Sequence, residues 1–377
     1  NPADVNITVA DSNALNCSAG SGLEKAYLPP AAGSSENTSD SNKTYVVTED
    51  TYYQYFNDDF SVNTRKVLKN DTIILQGTFT NKDFLFPIKV HVIGRNCIIN
   101  EGTVRFSEDA SASTVCNVTI INKGNKTYNR HGIELLEVNN CNVTNNTVYN
   151  YDLWESFGIW VYSSSGSRIT KNIVVTSGDY VNHGILLYAS DLSIVADNKV
   201  HLNQSAKPVQ YADEIMYNEK MGTIGEVLHN YGILLLYSSY NTIENNNVTT
   251  KSLFKEYTFP TTDCKNSVVG IDVYYDSNYN LIQNNNINVD SLGPYAYGMG
   301  VLGAPWGSSI TAINATNNTF TKNNVTVKGG YFATGFIAGL HSVYTLVEDN
   351  QFTVSAVHNS TQKGDYVYGL TLEAARN

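Results

Sequence analysis

From about residue 130 the chain repeats one short phrase, a glycine followed by apolar residues at alternate positions. It reads HGIELL at 131, FGIWVY at 157, HGILLY at 183, YGILLLY at 231, VGIDVYY at 269, YGMGVL at 297, TGFIAGL at 334 and YGLTL at 368. Alternation such as Ile159 and Val161, or Ile185 and Leu187, is the period of a strand with one face in a core. Glycine at the head of each phrase predicts a tight corner where the strand is entered. Counting from that glycine, an aliphatic comes after eleven residues, an asparagine after fourteen and a valine after sixteen. Four coils keep this register: Val143, Asn146 and Val148; Ile169, Asn172 and Val174; Val195, Asn198 and Val200; Ile243, Asn246 and Val248. One inserted residue extends it to Ile282, Asn285 and Ile287, and later to Val347, Asn350 and Phe352; the Gly298 coil is assigned Asn318 and Phe320.

An asparagine returning at one corner of successive coils has a physical use. The corner tolerates a left-handed residue, and the amide can hydrogen-bond its stacked neighbour. Asn146, Asn172, Asn198, Asn246 and Asn285 are therefore predicted to form a structural ladder. The first two advances are 26 residues each, one circuit of a three-sided coil with no side long enough for a helix. This spacing predicts an all-β fold class, a right-handed parallel β-helix of roughly ten stacked coils. Upstream, Cys97, Cys116 and Cys141 are expected to share one column, reduced and buried as small apolar side chains.

Three segments are expected. Residues 1–45, rich in Ser, Asn, Gly and Ala, form an irregular lead-in, and 46–70 carry an N-terminal cap around TYYQYFND. Residues 71–377 form the β-helix, with insertions at about 201–230 and 250–268 on one flank. Leu370, Leu372 and Ala374 still keep to the strand pattern where the chain stops, as expected of a fragment of a longer protein.

Composition narrows the function classes. Only 16% of residues are charged, and the net charge of −11 argues against nucleic acid or an anionic membrane surface as partner. No apolar run approaches the roughly 20 residues of a membrane helix, so no direct membrane insertion is expected in this segment. Asn-X-Ser/Thr sequons recur from Asn6 to Asn359, which favours an exported, extracellular or cell-surface chain. Five cysteines without a CxxC pair or Cys/His spacing give no metal site, and no cofactor is expected.

The order of a Tyr/Phe-rich cap (TYYQYFNDDFSV), a strand TIILQGTF, a strand IKVHVIG and then GIxLY and NxIxxNxV coils resembles the β-helical domain of methanogen adhesin-like surface proteins. The resemblance covers roughly residues 45–377. It implies a cell-envelope protein in contact with glycans or proteins of a partner cell, and it carries no catalytic motif.

The insertions hold the candidate ligand-binding residues: Tyr211, Tyr217 and Tyr257 as faces for sugar rings, and Asp213, Glu214 and Glu256 as acceptors for hydroxyls. Trp160 joins them because its alternation with Ile159 and Val161 points it outward. Tyr180, His183 and Tyr295 are placed in flanking loops. Hydrolysis of a polysaccharide needs paired carboxylates, and a lyase needs a base beside a group that neutralises a uronate. The outward acids Glu134 and Asp272 stand four coils apart, so no catalytic residue is assigned. The expected function is adhesion through the loops, with a β-helical lyase or glycoside hydrolase as the alternative.

Overall fold

The computed structural model describes residues 42–124, 131–152, 155–178, 181–204, 228–253, 266–293, 295–303, 314–330, 332–339, 341–356 and 366–372. These build a right-handed parallel β-helix. One wall is a ten-stranded parallel sheet running from Phe84–Ile88 to Tyr366–Leu372, and it contains every glycine phrase. An 18-stranded sheet forms the other two walls. In the first coils each of its strands is continuous, as in Thr72–Thr80 and His91–Asn100, with register shifts where the strand bends. Later coils split it into a three-residue strand such as Arg168–Thr170 and a six-residue strand such as Ile173–Gly178.

The register explains the sequence pattern. Ile133, Ile159, Ile185, Ile233, Ile271, Met299 and Phe336 succeed one another up the rod, all buried. The repeating glycine is required for space, not for a left-handed backbone. A Cβ on Gly184 would collide with Cγ1 of Val200 in its own coil and with the carbonyl oxygen of Gly232 in the next.

Three polar ladders run inside the corners. In the first, the backbone and side-chain N–H groups of Asn146 both donate to Asn172 Oδ1, at 3.0 and 3.1 Å. The same paired contact joins Asn172 to Asn198, Asn198 to Asn246, Asn246 to Asn285, Asn285 to Asn323 and Asn323 to Asn350. The Gly298 coil thus contributes Asn323, with Phe320 beneath Ile282 in the aliphatic column. Asn318 belongs to a second ladder, Ser167, Ser193, Asn241, Asn280 and Asn318. A third consists of Ser164, Ser190, Ser238 and Ser277.

The cysteines depart from the expected column. Cys116 aligns with Ile93 and Thr144, whereas Cys97 aligns with Val118, because the register shifts between Ile93 and Cys97. Cys141 immediately precedes Asn142, which pairs with Thr114. Cys97 and Cys141 are free and buried, and burial pushes their thiols up to about 12 and about 11. Cys116 is disulfide-bonded, with a partner outside the described residues, so a reduced trio is not what the fold contains.

At the N-terminal end, Thr44–Val47 pairs in parallel with Thr72–Leu75 and so already belongs to the sheet. A 3-10 turn (Glu49–Thr51) and one helical turn (Tyr52–Tyr55) then fold over the opening of the rod. Tyr52 stacks on Phe56 at 4.7 Å, and both meet Phe84 edge-on at 5.4 and 5.2 Å. The Tyr52 hydroxyl, its pKa raised by burial, donates to the Asp83 carbonyl.

Candidate active site on the outer face of the ten-stranded sheet

The outer face of this sheet carries two neighbouring columns set by strand register. One contains Arg105, Glu134, Trp160, Leu186, Leu234 and Asp272; the other His131, Phe157, His183, Tyr231 and Val269. Along the middle of the rod this face is apolar and buried, through Phe157, Leu186, Tyr231, Leu234, Val269 and Tyr274. At its N-terminal part it holds charge.

There Glu134 is 2% exposed. One carboxylate oxygen accepts a hydrogen bond from Arg105 Nε; the other meets His131 Nδ1 at 2.7 Å. Burial alone would raise the carboxyl. The hydrogen bonds from His131 and Arg105, with their charges, outweigh it and hold Glu134 below the ordinary carboxylate value. The imidazole lies against Phe157 at 4.7 Å and takes the Trp160 indole edge-on at 4.8 Å. His131 Nε2 and Trp160 Nε1 are buried and have no hydrogen-bond partner among the described residues. Two uncommitted nitrogens on touching rings offer a ligand hydroxyl both an acceptor and a donor.

Chemically, a carboxylate fixes one imidazole nitrogen as donor and leaves the other to accept or deliver a proton. Arg105 supplies positive charge and is itself 39% exposed at the side chain. Asp272 lies in the same column four strand spacings away, about 19 Å, with its Oδ1 accepting from the Val273 N–H. The two outer-face acids therefore do not converge as a carboxylate pair.

Of the residues that the sequence marks as candidates, Trp160 is on the outer face, half-buried in the aromatic group just described. His183 and Tyr295 are in sheet strands, Val181–Tyr188 and Tyr295–Leu302, not in flanking loops. Tyr180, Tyr211, Asp213, Glu214, Tyr217, Glu256 and Tyr257 lie outside the described residues. Arg105 and His131 are not among the sequence candidates, although extending the coil register one step upstream of His131 puts Arg105 under Glu134.

Residues 89–248 match the family described as "Right handed beta helix region". Among curated protein sequences none matches. An alginate lyase from Paenibacillus is similar in structure, at 12% identity and a TM-score of 0.41, over 89% of this chain and 99% of that one. A tailspike of an Acinetobacter baumannii bacteriophage, a capsular polysaccharide depolymerase, has 9% identity and a TM-score of 0.40, over 76% of this chain and 57% of that one. The catalytic domain of an α-1,3-glucanase in complex with nigerose has 12% identity and a TM-score of 0.38, over 92% and 70%. The adhesin-like expectation is thereby corrected: the similar solved structures named here are polysaccharide-acting enzymes, and none is an adhesin. At these identities the likeness is one of fold, and it transfers no residue and no mechanism. No helix among the described residues is long and apolar enough to cross a membrane.

Proposed function

We propose that this chain is a polysaccharide-degrading enzyme of the lyase kind, with His131 as the base. The observation that carries the reading is the Arg105–Glu134–His131 cluster, in which Glu134 stays ionised, holds Nδ1 and leaves Nε2 uncommitted. A carboxylate kept ionised is a poor general acid, and no second acid stands beside it in its column. Two-carboxylate hydrolysis is therefore disfavoured, while proton abstraction needs only a positioned base.

The step is a β-elimination. Nε2 takes the proton from the carbon beside a uronate carboxylate, the C–H electron pair forms a carbon–carbon double bond, and the bond to the glycosidic oxygen breaks. The leaving oxygen takes a proton from the imidazolium or from solvent. Arg105 provides the positive charge that the uronate carboxylate requires as negative charge accumulates. The imidazole is 8% exposed, so substrate reaches it by displacing its aromatic surroundings, of which the half-buried Trp160 is the least enclosed. The sequon density and a polymeric substrate both support an extracellular location.

The test is incubation with alginate, polygalacturonate and neutral glucans, with the ultraviolet absorbance of the unsaturated uronyl product recorded alongside reducing ends. His131→Ala is expected to lose activity by about 100-fold or more while still unfolding cooperatively, at a lower midpoint than the parent. Reducing ends without the unsaturated product, no product from any uronate polymer, or full activity in His131→Ala would each sink the reading.

A further inference from the structure

We propose that the exposed corner bearing Tyr237, Tyr240 and Tyr279 binds a neutral polysaccharide chain running parallel to the rod, separately from the His131 site. The corner comes after the sheet strands Leu228–Leu236 and Asn266–Tyr274. Its inward positions are committed to the buried ladders through Ser238, Asn241, Ser277 and Asn280. Its outward positions are aromatic: Tyr237, Tyr240 and Tyr279 are 38%, 54% and 51% exposed.

The backbone gives the reason to ask what these rings are for. Tyr237, Tyr240 and Tyr279 have φ of 52°, 60° and 55°, left-handed values that bulky residues rarely adopt. Other coils close the same corner with varied residues: Glu137, Ser163 and Ala189 stand where Tyr237 stands, and Asn140, Gly166, Leu192, Asn317 and Tyr344 where Tyr240 and Tyr279 stand. Closing the coil does not require tyrosine. Tyr237 and Tyr240 on one coil and Tyr275 and Tyr279 on the next put tyrosine at both left-handed corner positions of two neighbours, and that clustering points to a use outside the core.

The chemistry of the surface selects the partner. Tyr240 and Tyr279 stack at 4.9 Å with planes 2° apart, and Tyr237 stacks on Tyr275 at 5.0 Å. Stacked in this way, the rings turn edges and phenolic oxygens to solvent, in a row that repeats with the coil spacing of about 4.8 Å. That repeat is close to one sugar unit of an extended chain. Between the tyrosines runs a pinned polar network: Asp191 accepts from the Ser239 N–H at 2.6 Å, Ser239 Oγ from the Asn278 N–H at 2.9 Å, and Asp276 from Asn278 Nδ2 at 2.8 Å. Carboxylates beside phenols accept sugar hydroxyls and repel uronates. The surface therefore fits an uncharged chain, not the polyanion proposed for the His131 site.

Affinity electrophoresis tests this, using native gels cast with dextran, hydroxyethylcellulose, glucomannan or xylan, and with polygalacturonate as the charged comparison. At least one neutral polymer is expected to retard the protein. The double variant Tyr240→Asn with Tyr279→Asn, which installs the residue used by other coils, should bind about tenfold more weakly. Its melt should be unchanged or higher. His131→Ala should bind the neutral polymer as the parent does, which separates this site from the enzymatic reading. Retardation by polygalacturonate alone, by no polymer, or to the same degree in the double variant would overturn the proposal.

Discussion

Glu134 shows how one side chain takes its meaning from neighbours distant in sequence. Its carboxyl is held below its ordinary value of 4.5, so the stability that it contributes is fully present above that pH and is lost as pH falls below it, through the lowered folded value. Glu134→Gln leaves Arg105 and His131 facing a neutral amide, at a cost of about 1–2 kcal/mol near neutrality because the Arg105 side chain is 39% exposed and solvent screens it. Chemical denaturation across pH should show the gap between parent and variant closing as pH drops below 4.5; a gap independent of pH would mean that the charge is not what Glu134 contributes. The acid is visible in the sequence as an outward strand residue, but its two partners are not. Arg105 comes before the repeated phrase becomes recognisable, and His131 reads as the variable residue ahead of a glycine that Phe157, Tyr231 or Val269 can equally occupy. The separation of Cys97 and Cys116 into different columns is hidden for a related reason: the bends of the first coils shift the register by which cysteine columns are counted.

At the level of elements, the asparagine corner is the most informative feature of the chain. Each internal asparagine serves both neighbours: Asn198 accepts two N–H groups from Asn172, and its own amide donates to Ile169 O and Asn246 Oδ1. Asn198→Ala leaves the buried Asn172 backbone N–H without its acceptor and the Asn172 amide with Val143 O alone, and should cost about 2–4 kcal/mol, measured as a lowered denaturation midpoint. Asn350 is half-buried at the far end of the same ladder, so Asn350→Ala should cost clearly less. Equal losses would show that burial of the column does not govern its contribution. Fixed spacing makes this ladder legible over its first five members, while the serine ladder escapes notice because serine is common in turns of any kind. Inserted residues explain the slip at Asn318, whose spacing from the glycine of its coil no longer distinguishes one corner from the next.

For the whole molecule, charge and shape decide what can approach. A chain of net charge −11 repels a polyuronate at long range. Raising ionic strength from about 0.01 to about 0.15 M shortens the screening length from about 30 to about 8 Å. Activity at low uronate concentration should therefore rise with salt, while retardation by a neutral polymer at the tyrosine corner stays flat; a fall in both would place the substrate contacts on basic groups. Architecture is legible because every coil repeats the same constraint, whereas the sites are not, because each uses what differs between coils. That same repetition bears on how such a molecule changes over time. Lys199 N already donates to Asn172 O at 2.8 Å, in the geometry by which Ile173 N meets Asn146 O. A deletion or duplication spanning one full 26-residue turn therefore rejoins the thread with every inward side chain still inward, whereas a single inserted residue within a strand turns the rest of that strand inside out. Heredity can trim or extend this protein in whole windings, carrying old surfaces apart or bringing new ones side by side.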